Sequence, residues 1–216
     1  MVDWAGTVVA TTRRLVLRTF RADDLPRYAA LNADPLVVRH LGGRPFGREY
    51  SDGIAEWAQE SFARQGFGLL AVERRSDGAF LGMCGLHRHS SHQEEVEVAW
   101  RFASQYWGNG YATEAATGWM DHGFHDLALD HVISMTDEPN RPSQAVMHRL
   151  GMVYDRDIEI VEDGERITRW CTSSPPTTGA PVASASTGAP PRSAIQEPNN
   201  RPQPGHRRRR SSRARR

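Results

Sequence analysis

Apolar and polar positions alternate along this chain in two rhythms, and the change of rhythm marks its elements. "RRLVLRTF" alternates Leu15, Leu17 and then Phe20, which predicts a half-buried strand. "RADDLPRYAALNA" follows, with Asp23 or Asp24 placed to cap a helix and Pro26 in its first turn. "PLVVRHLGG" predicts a second short helix closed by glycine. "SDGIAEWAQESFARQG" predicts a third, with Ile54, Trp57, Ala58 and Phe62 on one face and a stop at Gly66.

The period then shortens to two. "GFGLLAVERR" and "GAFLGMCGLHRH" predict two strands joined through "SDG", a hairpin turn signal. "EEVEVAWRFA" alternates Val96, Val98 and Trp100 and continues the sheet. "YATEAATGWMDHGFHDL" returns to helical spacing at Ala112, Ala115, Ala116, Trp119, Met120 and Phe124. "HVISM" predicts a short buried strand and "RPSQAVMHRLG" a helix closed by Gly151; "MVYDRDIEI" and "ERITRWCT" predict a hairpin around Asp163-Gly164. The order is strand, helices, three strands, helix, strand, helix, two strands. It predicts an α+β domain on one mixed sheet, with a ligand site where strand ends part.

Composition changes this picture at the C-terminus. Residues 173–216 hold almost no large apolar side chains and are rich in Pro, Ser, Thr and Arg, which predicts a disordered tail. The net charge of +1 conceals an asymmetry: the tail has nine Arg and one Glu, +8, leaving −7 for the rest. All 27 basic residues are Arg. Cys84 and Cys171 have no metal-ligand spacing and are expected as free thiols. "MVDWAGTVVATTRRLVL" lacks the basic start and long apolar stretch of a signal peptide, and no run approaches the ~18 apolar residues of a membrane span. A soluble cytoplasmic protein with no membrane partner is expected.

The most informative stretch is "QYWGNGYATEA", residues 105–115. Gly108 and Gly110 stand two apart immediately before a helix. A helix start exposes unpaired N–H groups and the positive end of the dipole, and glycines allow the positive φ that turns successive N–H groups toward one anion. The Gly-Lys-Ser/Thr ending of a nucleotide-hydrolysing loop is missing, and Thr113 stands where a dinucleotide fingerprint has its third glycine. The local chemistry points to phosphate or pyrophosphate, and equally to a plain glycine turn capping a helix.

Taken with "TTRRLVLRTFRADDL" before it and "NRPSQAVMHRLGM" after it, this stretch resembles the RimJ/RimL-like branch of the GNAT acetyltransferase superfamily. The resemblance spans residues 11–172, after a flexible N-terminus of residues 1–10. It implies a GNAT-like domain with a mostly antiparallel central sheet splayed at an acetyl-CoA site and helices on both faces. Acetyl-CoA would be the co-substrate, with no metal. The family's phosphate loop, Gln/Arg-x-x-Gly-x-Gly/Ala, is laid over Trp107, Gly108, Asn109, Gly110, Tyr111 and Ala112, with Trp107 in the first place. Amides from Gly108 to Thr113 would wrap the pyrophosphate. Trp100, Arg101 and Phe102 would bind the pantetheine arm like an added strand, and Asn140 and Ser143 would read its far end. A homodimer is a candidate state.

Acetyl transfer needs a neutral amine. A lysine-like amine, pKa ~10.4, is mostly protonated at pH 7, an α-amine near ~7.7–8 far less so; the gap is roughly 2.5 units, on the order of 3 kcal/mol. The resemblance makes Glu97, on the strand beside the junction where related enzymes often place a carboxylate, the candidate base acting through water; the plainer role for Glu94, Glu95 and Glu97 alike is the polar side of a strand. Many members of the superfamily place a Tyr acid before the Leu-Gly turn; here that position is Met147. His87, His89 and His92 lie close together, but nothing completes a metal set, and a polar strand end is the expected reading.

The leading expectation is an acetyl-CoA-dependent N-acetyltransferase acting on a protein N-terminal α-amine or a small-molecule amine. The alternatives are a non-catalytic acyl-CoA sensor on the same scaffold, or a protein touching RNA or ribosomes weakly through "RRRRSSRARR". The acidic body hints at a cationic acceptor.

Overall fold

The computed structural model describes residues 2–89, 92–162 and 165–174. In chain order they form β1 (Val8–Thr11), β2 (Leu15–Arg18), a 3-10 turn (Ala22–Asp24), α1 (Leu25–Ala33), α2 (Pro35–Val38), α3 (Arg48–Gln65), β3 (Leu69–Arg74), β4 (Phe80–His89) and β5 (His92–Phe102). A second 3-10 turn (Ser104–Tyr106) leads to α4 (Tyr111–His125), β6 (Ile133–Thr136), α5 (Arg141–Arg149), β7 (Val153–Glu162) and β8 (Glu165–Ser173). The strands make one mixed sheet in the order β1-β2-β3-β4-β5-β6-β8-β7. The fold is α+β, as the alternating periods predict.

Neighbouring strands are antiparallel except β5 and β6, which run parallel and meet at one register pair, Glu97 opposite Ile133. Beyond it β5 continues to Phe102 with no further β6 partner among the described residues. This is the expected splay.

The central strands are buried on both faces, which is why "LLAV" reads as a continuous apolar run. Leu70 and Val72 join Leu81, Leu86, Val98 and Trp119 in a core under α4. Leu69 and Ala71 join Phe20, Tyr28, Ala55 and Met83 under α1 and α3. A small third core, Ile133, Ile158, Ile160 and Cys171, serves β6, β7 and β8. Cys84 and Cys171 are both free thiols.

Several boundaries differ from expectation. Val8–Thr11, assigned largely to a flexible N-terminus, pairs with β2, and Ala5 bridges Arg21. As an edge strand with exposed or half-buried side chains, it carries no buried stripe to betray it. The domain also runs past Thr172: Ser174 is buried, its N–H bonded to Val132 O and its hydroxyl accepting Val132 N–H. Along α3 the buried stripe is Ser51, Ala55, Ala58 and Gln59, so Ile54 and Trp57 flank it. Gln59 is buried because its amide bonds both the N–H and the C=O of Phe20, continuing β2 where no strand neighbour remains. The Asp163-Gly164 turn and residues 175–216, with the Arg-rich segment, lie outside the described residues. No helix among the described residues is long and apolar enough to cross a membrane.

Gly85 on β4 is required by close packing: a Cβ there would fall 2.0 Å from Gly68 O and 2.8 Å from Leu69 Cα. These are backbone atoms at the start of β3, which cannot yield as a side chain can. Gly85→Ala is therefore expected to cost ~3 kcal/mol, read as a lower denaturation midpoint in urea with unchanged slope.

Candidate active site

A cleft of about 1740 Å³ opens where β5 leaves β6. Every residue proposed from the sequence for the site, from Glu97 through Trp107 and Thr113 to Ser143, lines it. At its floor the glycine turn has the geometry an anion needs. Gly108 and Gly110 adopt φ of +77° and +76°, and a Cβ on Gly108 would meet no atom within 4 Å. Gly110 is the N-cap of α4 and provides no side-chain cap, so the first-turn N–H groups of Tyr111, Ala112 and Thr113 remain for a ligand.

The loop is braced from within and from behind. Asn109 Nδ2 donates to the carbonyls of Tyr106 and Trp107, both at 3.1 Å. Behind α4, Glu114 accepts from Thr12 Oγ1 at 2.6 Å, Arg14 N at 2.8 Å and Arg14 Nε at 2.6 Å. Burial opposes the charged form of Glu114, yet these bonds outweigh it and hold its carboxyl below the usual range. Arg14 also lies 4.7 Å over the Tyr111 ring, so the turn between β1 and β2 clamps the start of α4. One register correction follows. A Gln/Arg-x-x-Gly-x-Gly loop has its first residue three before Gly108, which is Gln105, so the pattern is met and Trp107 is its third residue.

The open edge of β5 is narrower than expected. Backbone groups alternate between strand edges. Val98 O accepts Ser134 Oγ at 3.0 Å from the β6 side, while Ala103 N–H bonds Leu81 O on the β4 side. Trp100 and Phe102 therefore face the open edge, and Arg101 faces β4. The Arg101 side chain instead donates to Asn32 Oδ1 at 2.7 Å. The carbonyl of Phe102 already accepts Trp107 Nε1 at 2.8 Å, so Trp100 is the residue best placed to pair with an extended ligand. Asn140 is likewise engaged: it caps α5 by accepting Ser143 N–H at 3.3 Å and donates to Thr136 Oγ1 at 2.8 Å.

Glu97 is 7 % exposed, on the face of β5 that looks toward α3. Its Oε1 accepts Met135 N–H at 3.2 Å, across the splay, and Oε2 lies 3.4 Å from His87 Nε2. Arg169 stands close behind: burial lowers its pKa, and the Glu97 carboxylate offsets part of that. Arg169 pairs with Asp137, which lies 3.7 Å from His40. Sequence reasoning missed this cluster, since β8 and the end of α2 reach Glu97 only through the fold. Met147 is buried in the α4 core, and His148 is exposed. No group of three or more His, Cys, Asp or Glu among the described residues is arranged to hold a metal ion. Arg39, Arg44, Arg149 and Arg169 line the cleft with Glu97 and Glu114, so the acidic body does not make an acidic site.

The acetyltransferase (GNAT) domain profile matches residues 14–153. The chain belongs to the GNAT acetyltransferase family. This acetyltransferase is 31% identical over 149 residues to Bacillus subtilis (strain 168) YkkB, covering 68% of this chain and 86% of that one. Among solved structures it is similar to an acetyltransferase from Agrobacterium tumefaciens str. C58, at TM-score 0.66 and 28% identity, covering 76% of this chain and 92% of that one. Mycobacterium smegmatis RimJ, solved in complex with CoA-disulfide, shares the fold at TM-score 0.59 and 20% identity, covering 80% of this chain and 89% of that one. In this N-acetyltransferase the Gln105-x-x-Gly108-x-Gly110 sequence pattern is met, and Met147 stands where the resemblance implies a tyrosine.

Proposed function

We propose that this N-acetyltransferase uses acetyl-CoA and moves the acetyl group to a primary amine, either a protein N-terminal α-amine or a small-molecule amine, by direct attack on the thioester. One observation carries the reading: the uncapped α4 start and the Glu97 carboxylate open onto the same cleft, at the point where the sheet parts. The CoA complex of the RimJ neighbour supports the ligand class. The cleft residues fit it, with N–H groups and arginines for the phosphates and an open strand edge at Trp100 for the amide-bearing arm.

In this reading Glu97 takes a proton from the acceptor's ammonium through water. The freed nitrogen then bonds to the acetyl carbon as the carbon–sulfur bond breaks, and the second proton it sheds in becoming an amide passes through water to the departing thiolate. Ser143, the hydroxyl lining the cleft on α5, is the protein group offered for that last proton. Met147 offers none.

The test is calorimetric titration of acetyl-CoA into the wild type and Gly110→Trp, beside an assay of free thiol with a panel of amines. Gly110 holds φ +76°, which Trp adopts only under strain, and its Cβ would point at Arg14 Nη2, 3.6 Å away. Binding is expected to weaken by at least ~30-fold, with thiol release in the wild type requiring one amine class. Failure of the wild type to bind acetyl-CoA would overturn the proposal.

A further inference from the structure

We propose that His87 is the positioning residue for Glu97, donating from Nε2 to Oε2 and so fixing the carboxylate that faces the acceptor amine. The proposal rests on Glu97 being the base.

The two side chains are partners by register, since His87 on β4 stands directly opposite Glu97 on β5. Nε2 and Oε2 are 3.4 Å apart, a long contact of the kind that shortens when substrate closes a site. Glu97 thus accepts Met135 N–H from β6 on one oxygen and has His87 of β4 within 3.4 Å of the other.

His87 is otherwise a poor core residue. It is 9 % exposed, its ring stands edge-on to Trp57 with centroids 5.8 Å apart, and its Nδ1 is buried with no hydrogen-bond partner among the described residues. A buried polar nitrogen left unpaired costs free energy that an apolar ring of the same shape would avoid. The carboxylate is an acceptor only, so in this proposal the proton sits on Nε2 and Nδ1 keeps its lone pair.

Burial, and secondarily the nearby His89, push the pKa of His87 down to about 4. The imidazole is therefore neutral at working pH. It supplies a donor without a positive charge that would weaken Glu97 as a base. Among the described residues, the ionisable groups near this pair include His89 on β4, Arg169 and Cys171 on β8, and, through Arg169, Asp137 and His40.

His87→Phe keeps the ring against Trp57 and removes the donor; His87→Gln restores an N–H. For the amine identified in the panel, His87→Phe is expected to lower kcat about tenfold with acetyl-CoA affinity unchanged. The acid limb of kcat/KM should move to higher pH, because the charged carboxylate has lost a donor, and His87→Gln should recover most of both. Wild-type kcat and limb position in His87→Phe, with Glu97→Gln impaired, overturn the role of His87 and leave the base standing. An unimpaired Glu97→Gln overturns both. The full-length wild type gives an independent reading by nitrogen-15 NMR of the imidazole: the Nε2–H tautomer at pH 7 supports the proposal, and the Nδ1–H tautomer overturns it.

Discussion

Glu97→Gln is expected to lower kcat by about 10²- to 10³-fold at pH 7, with acetyl-CoA affinity within about twofold of wild type. The substitution keeps the shape and the oxygen that accepts Met135 N–H, while Arg169 retains Asp137 as its charge partner, so the site should stay assembled. What disappears is the capacity to take a proton. The defect should then depend on pH in a specific direction. As pH rises through the acceptor's own pKa, the amine arrives neutral, and the variant should approach the wild type. That convergence is expected near ~8 for an α-amine and above ~10 for a lysine-like amine, which makes the pH profile a reading of acceptor class as well. A constant deficit at every pH would assign Glu97 to structure.

Asp24→Ala is expected to remove about 3–5 kcal/mol of stability, the largest single-residue effect outside the cores. Arg18 and Asp24 are each 1 % exposed and joined by two bonds, Nη1 to Oδ2 at 2.6 Å and Nη2 to Oδ1 at 2.9 Å. Asp24 Oδ2 also accepts Arg21 N–H at 2.7 Å, so the carboxylate fixes the chain's exit from β2 into α1. Removing it leaves a buried guanidinium with Glu73 as its remaining carboxylate, at 2.9 Å. Urea unfolding measures the loss. Replacing both partners with apolar residues, Arg18→Met with Asp24→Leu, should recover much of it, because the cost lies in stranding one charge. A loss below about 1 kcal/mol for Asp24→Ala would show that Glu73 alone compensates Arg18.

What was legible in the chain was whatever its own neighbours determine. The alternation of Val96, Val98 and Trp100 and the spacing of Ala115, Ala116 and Trp119 each place a side chain against the sheet within one element. Gly108 and Gly110 announce their backbone by being the residues that tolerate it. Glu97 was within reach through the family resemblance, which expects a carboxylate on this strand beside the junction; the alternation alone gave it as the polar side of a strand. The alternation, however, does not say which strand lies opposite, so His87 was read as a polar strand end. Arg169 and Asp137 meet Glu97 through pairings that span the whole C-terminal half, and no local pattern encodes those. The misplaced edge groups have the same origin: that Arg101 turns its backbone to β4 and Trp100 to the cleft depends on register, not residue type.

A sheet joined across its middle by one parallel pair has consequences beyond letting a ligand in. Strand bonding across Glu97 and Ile133 is reduced to a single pair, and Val132, Met147 and Met152 carry the α4-side core past it, so the junction is a seam held mainly by packing. Variants that lengthen the β5–β6 pairing would stiffen this protein and close the opening its chemistry requires. Robustness and turnover are opposed at that seam, and directed selection for heat tolerance alone should erode activity there first.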